Sequence, residues 1–427
     1  MKTTIKFFFS FAVLFLTINS LIAQKFESFV IIQPEKPLYN ISKAAILNFS
    51  NYDNNPYYNT YGGSAFANYL TSELLDENRG IYNLTQGLLG SKEGKSYIKS
   101  SKINSIQIVE REQLYKVIDE KNISNDIAID DNKAAEIGKV LGIDALIMGT
   151  IKHIYNSNKG IVKLSDGTTA SSTENSCTTE VMIKVVSVAN GQIIATNSFK
   201  KENSDKKYGK QEGNVLKFEQ LAESNMKIIA YRAANYISPY YLYYKADFRK
   251  IKTNDFKEKN EDIKRYIENA DFKNLYSIYK AIFDADNYNA DVAYNIALIK
   301  VITGDYKNAA EWDRIAYEAD PKEFGKAKEW ADSWEQTANT LEKLGVIIEK
   351  VNFDSQINTN ALADKIKTKG KREDRFEVFE NPSTTSSVVA KIPGDSEFII
   401  IEKSGDFTKI KLLGGKEGYI SNENIKK

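Results

Sequence analysis

The chain has 427 residues, with 58 Lys and Arg against 57 Asp and Glu and a formal net charge of +1. That length holds two to four domains, and the balanced charge excludes a protein built to neutralise nucleic-acid phosphates. One cysteine, Cys177, excludes an internal disulfide, and one histidine, His153, excludes a histidine-rich metal site.

The first 23 residues place Lys2 and Lys6 before an apolar run from Phe7 to Leu16, then small and polar residues to Ala23. This layout predicts a secretory signal peptide over residues 1–23, cleaved between Ala23 and Gln24. The run is shorter than the ~20 residues a spanning helix needs, so the mature protein is expected to be exported.

Residues 24–244 read as an α/β domain. Lys43 to Phe49 is a buried strand, followed by the polar, tyrosine-rich segment Ser50 to Gly63. Phe66, Leu70 and Leu74, with Ala67 and Leu75, predict one face of a helix. Ile106 to Val109 is a second strand, running into a helix that buries Leu114, Val117 and Ile118. Asp131 or Asn132 caps a further helix whose Ala135, Ile137, Val140 and Leu141 face inward, and Gly142 stops it.

Ala145 to Ile151, Glu180 to Val188 and Gln192 to Phe199 are strands, the last two joined by a hairpin at Ala189-Asn190-Gly191. A helix over Leu216 to Tyr236 buries Leu221, Met226, Ile229, Ala230 and Ala233. Strand–helix alternation ending in a hairpin predicts a layered α/β domain with a mixed sheet.

The segments KAAILNF (from Lys43), IVEREQLYKVIDE (from Ile108), AAEIGKVLGIDALIMGTI (from Ala134) and EVMIKVVSVANGQIIA (from Glu180) resemble, in order and spacing, the curli-secretion CsgG family. Glu110, Arg111, Leu114 and Glu120 match one recurring stretch of that family, and Gly142, Asp144 and Gly149 another. The resemblance implies an envelope assembly or secretion role, with self-association through the α/β domain. Family members often carry a lipidated cysteine after the cleavage site; here that position is Gln24, so no N-terminal lipid is expected.

Two membrane hairpins per subunit are a further implication of the family. Of the corresponding segments, the middle of Lys152 to Thr179 has no aromatic residue and no sustained apolar alternation, and Lys200 to Gly213 is too short for a spanning hairpin and too charged for a lipid face. They are expected to be solvated loops or soluble β-extensions, with at most peripheral membrane contact. Tyr57, Tyr58, Asn59 and Tyr61 occupy the place of the family's constriction loop and are candidate contacts for an extended polypeptide. Glu110 and Arg111 are read as a helix N-terminal charge and a local salt bridge.

Residues 245–345 turn helical after a charged stretch from Lys245 to Arg265. Asp284-Ala285-Asp286 recurs as Glu318-Ala319-Asp320, 34 residues later, the period of tetratricopeptide repeats. Ala297, Gly304, Ala309, Ala316 and Pro321 fall at that repeat's small-residue and proline positions, while Asp313 stands where a bulky aromatic is usual. The segment is expected to hold a protein partner or act as a spacer.

Residues 346–375 read as a polar linker. Residues 376–427 carry short β-rich runs separated by Pro-Gly-Asp, Ser-Gly-Asp and Gly-Gly-Lys-Glu-Gly turns. They resemble the bacterial Src-homology-3-like barrel. That resemblance makes Phe407 and Tyr419 candidate ligand contacts and peptidoglycan a candidate partner, alongside envelope proteins or exported polypeptide.

The sequence contains no Walker A motif, dinucleotide fingerprint or nucleophile elbow. Cys177 in its Ser/Thr-rich stretch reads as an exposed bystander thiol, and His153 as a residue at a strand end. The expectation is a multi-domain, non-enzymatic envelope protein without cofactor or metal. It comprises a layered α/β domain, an α-helical repeat segment and a small all-β barrel, and acts in the periplasm or at the periplasmic face of the outer membrane. A cell-wall-binding adaptor is the alternative.

Overall fold

A computed structural model describes residues 24–51, 62–85, 91–104, 106–110, 112, 114–116, 131–356, 363–412 and 416–426. The short apolar runs form the centre of a mixed sheet: β2 (Lys43–Ile46), β3 (Gln107–Ile108), β4 (Ala145–Lys163), β5 (Thr169–Ser187) and β6 (Ile193–Tyr208). The spatial order is β6-β5-β4-β2-β3, with β2 parallel to both β3 and β4 and with β4, β5 and β6 antiparallel.

Helices α1 (Gly62–Leu75) and α3 (Phe218–Ile237) cover one face, enclosing Ile46, Phe66, Leu70, Ile147, Ile183 and Ile229. Helix α2 (Asp131–Leu141) covers the other, over Leu146, Met148 and Val186. Every residue expected on the buried side of α3 is buried.

Two helical expectations are corrected. Leu75 is 55% exposed and Val140 51%. At about 100° per residue, the α1 contact face centres between Gly63, Leu70 and Leu74, so Leu75 points away. The α2 face centres between Ile137 and Leu141, where Gly138 lies against Val188, and Val140 falls outside it.

The residues shared with the resembled family have structural roles. Asp144 Oδ2 accepts hydrogen bonds from Ser42 N (2.8 Å), Ser42 Oγ (2.7 Å) and Lys43 N (2.9 Å). It thereby pins the start of β2 beside β4. These bonds hold its carboxyl below the usual range, the Ser42 hydroxyl first among them. A Cβ on Gly149 would lie 1.9 Å from Met182 O and 2.6 Å from the Phe49 ring, and one on Gly63 would lie 1.7 Å from Phe49 O. Glycine at both positions lets Phe49 wedge between β4 and α1, edge-on to Phe66. Gly142 ends α2 at φ +60°, as expected.

The outer strands differ most from expectation. Lys152 to Thr179 is a continuous hairpin, paired residue for residue from Ala145–Ser187 to Lys163–Thr169. β6 carries the pairing on to Tyr208. Of the two expectations, loops or β-extensions, the extensions are what form. Cys177 is fully buried in β5 and His153 lies within β4, which corrects the bystander thiol and the strand-end histidine.

Residues 24–32 and 240–248 form a ribbon of β1 (Gln24–Ile32) and β7 (Tyr240–Phe248), antiparallel from Gln24–Phe248 to Ile32–Tyr240. It packs on α4 (Asn260–Glu268), α5 (Phe272–Ala285), α6 (Ala290–Ile302), α7 (Tyr306–Ala319) and α8 (Ala327–Lys343) through two apolar clusters. The 34-residue repeat appears as two equivalent helix ends. Asp286 N donates to Ile282 O and Asp320 N to Ala316 O, with φ −140° and −147°.

The barrel sheet runs β8-β11-β12-β13-β9-β10: β8 (Lys365–Lys367), β9 (Arg375–Phe379), β10 (Val388–Pro393), β11 (Glu397–Ser404), β12 (Phe407–Lys411) and β13 (Glu417–Ser421). β8 lies inside the stretch expected as a linker. Arg265 of α4 meets Glu397 of β11 at 2.8 Å.

Arg79, 1% exposed, joins these layers. Its Nε donates to Asn235 Oδ1 (3.0 Å), Nη1 to Glu73 O and Nη2 to Pro239 O, and Tyr241 N donates to its carbonyl. One guanidinium thus ties the end of α1 to the end of α3 and the entry to β7. Burial lowers its pKa to about 10. Truncating it leaves Pro239 O and the Asn235 amide oxygen without this donor, and Glu73 O with the Asp76 amide at 3.3 Å, so Arg79→Ala is expected to cost about 3–5 kcal/mol. Arg79→Lys should not restore this, because a point ammonium cannot reproduce the fork. Denaturant unfolding of each variant checks this; a loss under about 1 kcal/mol would remove Arg79 as the joint.

Candidate functional site

Two surfaces carry the residues of functional interest. The first is the extension of β4, β5 and β6 beyond the helices. Twelve residues of β4, from Lys152 to Lys163, continue past the last contact with the inner sheet, a reach of about 40 Å. Alternation assigns His153, Tyr155, Ser157 and Lys159 to one face and Ile154, Asn156, Asn158 and Gly160 to the other. On β6 the faces are Lys201, Asn203, Asp205 and Lys207, and Glu202, Ser204, Lys206 and Tyr208. Neither side is an apolar band. The strands are joined by Lys200–Glu180 (2.9 Å) and Lys206–Glu174 (3.3 Å).

The base of the extension is built on the first turns of α3. Phe218 stands edge-on to Tyr155 (5.0 Å) and His153 (5.8 Å), and Leu221 and Ala222 cover Cys177. Asn225, fully buried, donates from Nδ2 to Cys177 O at 2.8 Å. His153 Nδ1 lies 2.9 Å from Thr179 Oγ1. Burial pushes the Cys177 thiol up, keeping it protonated and unreactive. Asn225 escaped sequence reasoning. Its only signal is one amide within the apolar stripe of Leu221, Met226 and Ile229.

Between Ile154 and Lys163, the outer edge of β4 pairs with no further strand among the described residues. The outer edge of β6 is likewise open there, and it is dense in lysine, a composition that discourages indiscriminate strand pairing.

The second surface is the outer face of the barrel. Phe407 and Tyr419 both lie on it, in adjacent strands where Lys409 pairs with Tyr419 and Phe407 with Ser421. Phe379, missed in the sequence, pairs with Tyr419 and stands edge-on to Phe407 at 6.2 Å. Lys409 Nζ sits 5.8 Å from the Tyr419 ring centre and 2.8 Å from Glu417. The structure therefore gathers Phe407, Tyr419 and one lysine on a single half-exposed face. Tyr57, Tyr58, Asn59 and Tyr61 lie outside the described residues.

Among the described residues no cluster of His, Cys, Asp and Glu could hold a metal ion, and no helix is long and apolar enough to cross a membrane.

Residues 26–230 match the family described as curli production assembly/transport component CsgG, and residues 376–426 match the bacterial SH3 domain. No curated protein matches the sequence. Solved structures similar to this chain include the PelC dodecamer from Paraburkholderia phytofirmans, at 12% identity over 48% of this chain and 96% of that one, with TM-score 0.22. The LpoB C-terminal domain from Salmonella enterica matches at 12% identity over 38% and 84%, TM-score 0.22. Lipoprotein GNA1162 from Neisseria meningitidis matches at 14% over 45% and 99%, TM-score 0.22. At these scores the likenesses carry no weight on function.

The geometry at His153 sets a pH dependence. Burial lowers its pKa from 6.5 to about 4. The folded state therefore keeps a neutral ring where the unfolded chain takes up a proton. Its contribution to stability is complete above pH 6.5 and is lost as pH falls from 6.5 to 4, by about 3 kcal/mol in all. His153→Gln should flatten the stability profile across that window. Urea unfolding at pH 7 and pH 4.5 reads the difference, and parallel profiles for the two proteins would contradict the assignment.

Proposed function

From a chain that carries a CsgG-family domain over residues 26–230 and a bacterial SH3 domain over residues 376–426, and is therefore associated with the cell envelope, we propose a non-enzymatic component of an envelope assembly or secretion complex. It acts in the periplasm or at the periplasmic face of the outer membrane, and self-associates through the α/β domain without contributing strands to a membrane barrel.

The observation carrying this reading is the three-stranded extension. Its two edges, along β4 and along β6, are different surfaces of one subunit. Pairing β4 of one copy with β6 of the next is a head-to-tail contact, the kind that closes into rings. Polar residues on both faces favour strands that stay in water, since a lipid-facing hairpin alternates apolar and polar residues between aromatic girdles.

Light scattering on residues 24–427, with and without detergent, tests the proposal. A defined oligomer in plain buffer is expected. Lys159→Pro, at a β4 position whose backbone N–H faces the outer edge and not β5, should shift it towards monomer without unfolding the helical segment. A monomer in both buffers would sink the assembly reading, and a detergent-dependent oligomer would sink the claim that no barrel strand is contributed.

The aromatic face of the barrel favours a second reading, a cell-wall-binding adaptor. It requires sedimentation with purified peptidoglycan, which should disappear on removing residues 376–427 and fall at least tenfold in Phe407→Ala/Tyr419→Ala.

A further inference from the structure

The ribbon strand β7 ends at Phe248, and the residues from Arg249 to Thr253 belong to no helix or strand. Their main chain is nevertheless gripped along one edge. Asn295 Oδ1 accepts a hydrogen bond from Arg249 N at 2.8 Å, and its Nδ2 donates to Arg249 O at 2.7 Å. Asn260 repeats the arrangement two residues on. Its Oδ1 accepts from Ile251 N at 2.9 Å and its Nδ2 donates to Ile251 O at 3.0 Å. At the next alternate position, Asn289 Nδ2 donates to Thr253 Oγ1 at 2.8 Å.

The period of two has a physical basis. In an extended chain the N–H and C=O of one residue point to the same side, and alternate residues share that side. A primary amide carries a donor and an acceptor next to each other. Asn260 and Asn295 therefore each stand where a residue of a neighbouring strand would be. Tyr241 N, on the edge of β7 away from β1, donates to Arg79 O, and Arg249 and Ile251 fall on the same odd-numbered row. Asn295 is fully buried in α6, a position where an unpaired amide would be costly, and both of its polar atoms bond Arg249.

Side chains complete the grip. Ile251, 1% exposed, enters the core with Ile263, Ile267 and Ile299. The Arg249 guanidinium pairs with Glu323 at 2.9 Å and lies over the Phe324 ring, and Lys252 reaches Asp291 at 3.5 Å. The contacts thus come from the start of α4, from α6 with its cap, and from the turn after α7. Main-chain hydrogen bonds combined with pockets for alternate side chains are the chemistry by which proteins bind extended polypeptides.

We infer that the helical segment recognises extended polypeptide and that its ligand is its own chain: Asn260, Asn289 and Asn295 hold residues 249–253 in cis, and the surface they form is closed to polypeptide from outside. A tethered segment beside its own receptor has an effective concentration on the order of millimolar, which a free competitor must exceed. Of the two roles expected for the helices, holding a partner or acting as a spacer, this surface serves the chain itself.

Residue-resolved amide hydrogen exchange on residues 24–427 tests the inference. The Arg249 and Ile251 amides are expected to exchange as slowly as those in the middle of α6, although they lie in no regular element. Asn295→Leu should speed exchange at Arg249 about tenfold or more relative to α8, and Asn260→Leu should do so at Ile251. Arg249→Ala removes the ion pair with Glu323 but keeps the main chain, so the amide at position 249 should stay protected. Fast exchange at both amides in the unsubstituted protein overturns the clamp, and loss of protection in Arg249→Ala overturns main-chain recognition. Neither result needs an asparagine variant to fold. Acetylated, amidated Arg-Lys-Ile-Lys-Thr in excess should leave both rates of the unsubstituted protein unchanged. A rise in both rates shows the peptide displacing the segment, and overturns the closure.

Discussion

The structure turns on one buried guanidinium. Arg79 sits where the last turn of α1, the last turn of α3 and the first residues of β7 converge, and each presents a backbone or amide oxygen to it. Carbonyls at helix ends lack intrahelical partners, and a side chain with five donors in a rigid fork satisfies several at once. Because β7 pairs along its whole length with β1, fixing its entry also fixes the ribbon. The ribbon in turn supplies Phe29, Ile31, Tyr241 and Tyr244 to the cores beneath the helical segment. The α/β layer and the helices are thus tied by hydrogen bonds on one side and by apolar burial on the other.

A second buried cation works in the same manner inside the helical segment. Lys300 pairs with Asp305 at 3.4 Å, with both side chains 4% exposed, and lies under the Tyr276 and Phe353 rings. Asp305 also accepts from Asn308. Such pairs contribute little net stability but strongly penalise arrangements that separate them. They fix how α6 meets α7. The β-extension follows the opposite logic. Its polar faces need no core, and its cohesion comes from ladder hydrogen bonds and cross-strand pairs such as Lys200–Glu180.

Elements governed by a strong local pattern were legible before the fold was seen. The apolar stripe of α3 and the Asn-Gly turn before β6 are periodic or conformational signals that survive any tertiary context. The strands of β4 and β5 beyond the sheet were only half legible, because SDGTTASSTENSCTT has the polarity of a loop and is held as strand by its neighbours. The β1–β7 ribbon was not legible at all. Its halves are more than 200 residues apart, and no local rule pairs them. On the barrel, Phe407 and Tyr419 could be named from their motif, while Phe379 joins them only through strand pairing.

By itself the sequence determined composition, repeat period, helix faces and the order of the domains, because these follow from side-chain chemistry over short distances. It also presented Asp313 as an oddity and Asp144 and Gly149 as matches to a pattern. Only the tertiary structure decided what they do. Asp144 receives the strand start at Ser42 and Lys43, Gly149 makes room for Phe49, and Asp313 is buried within the helical segment. The first two outcomes depend on groups brought together from distant parts of the chain, and burial then turns an ordinary residue into a clamp or a gap.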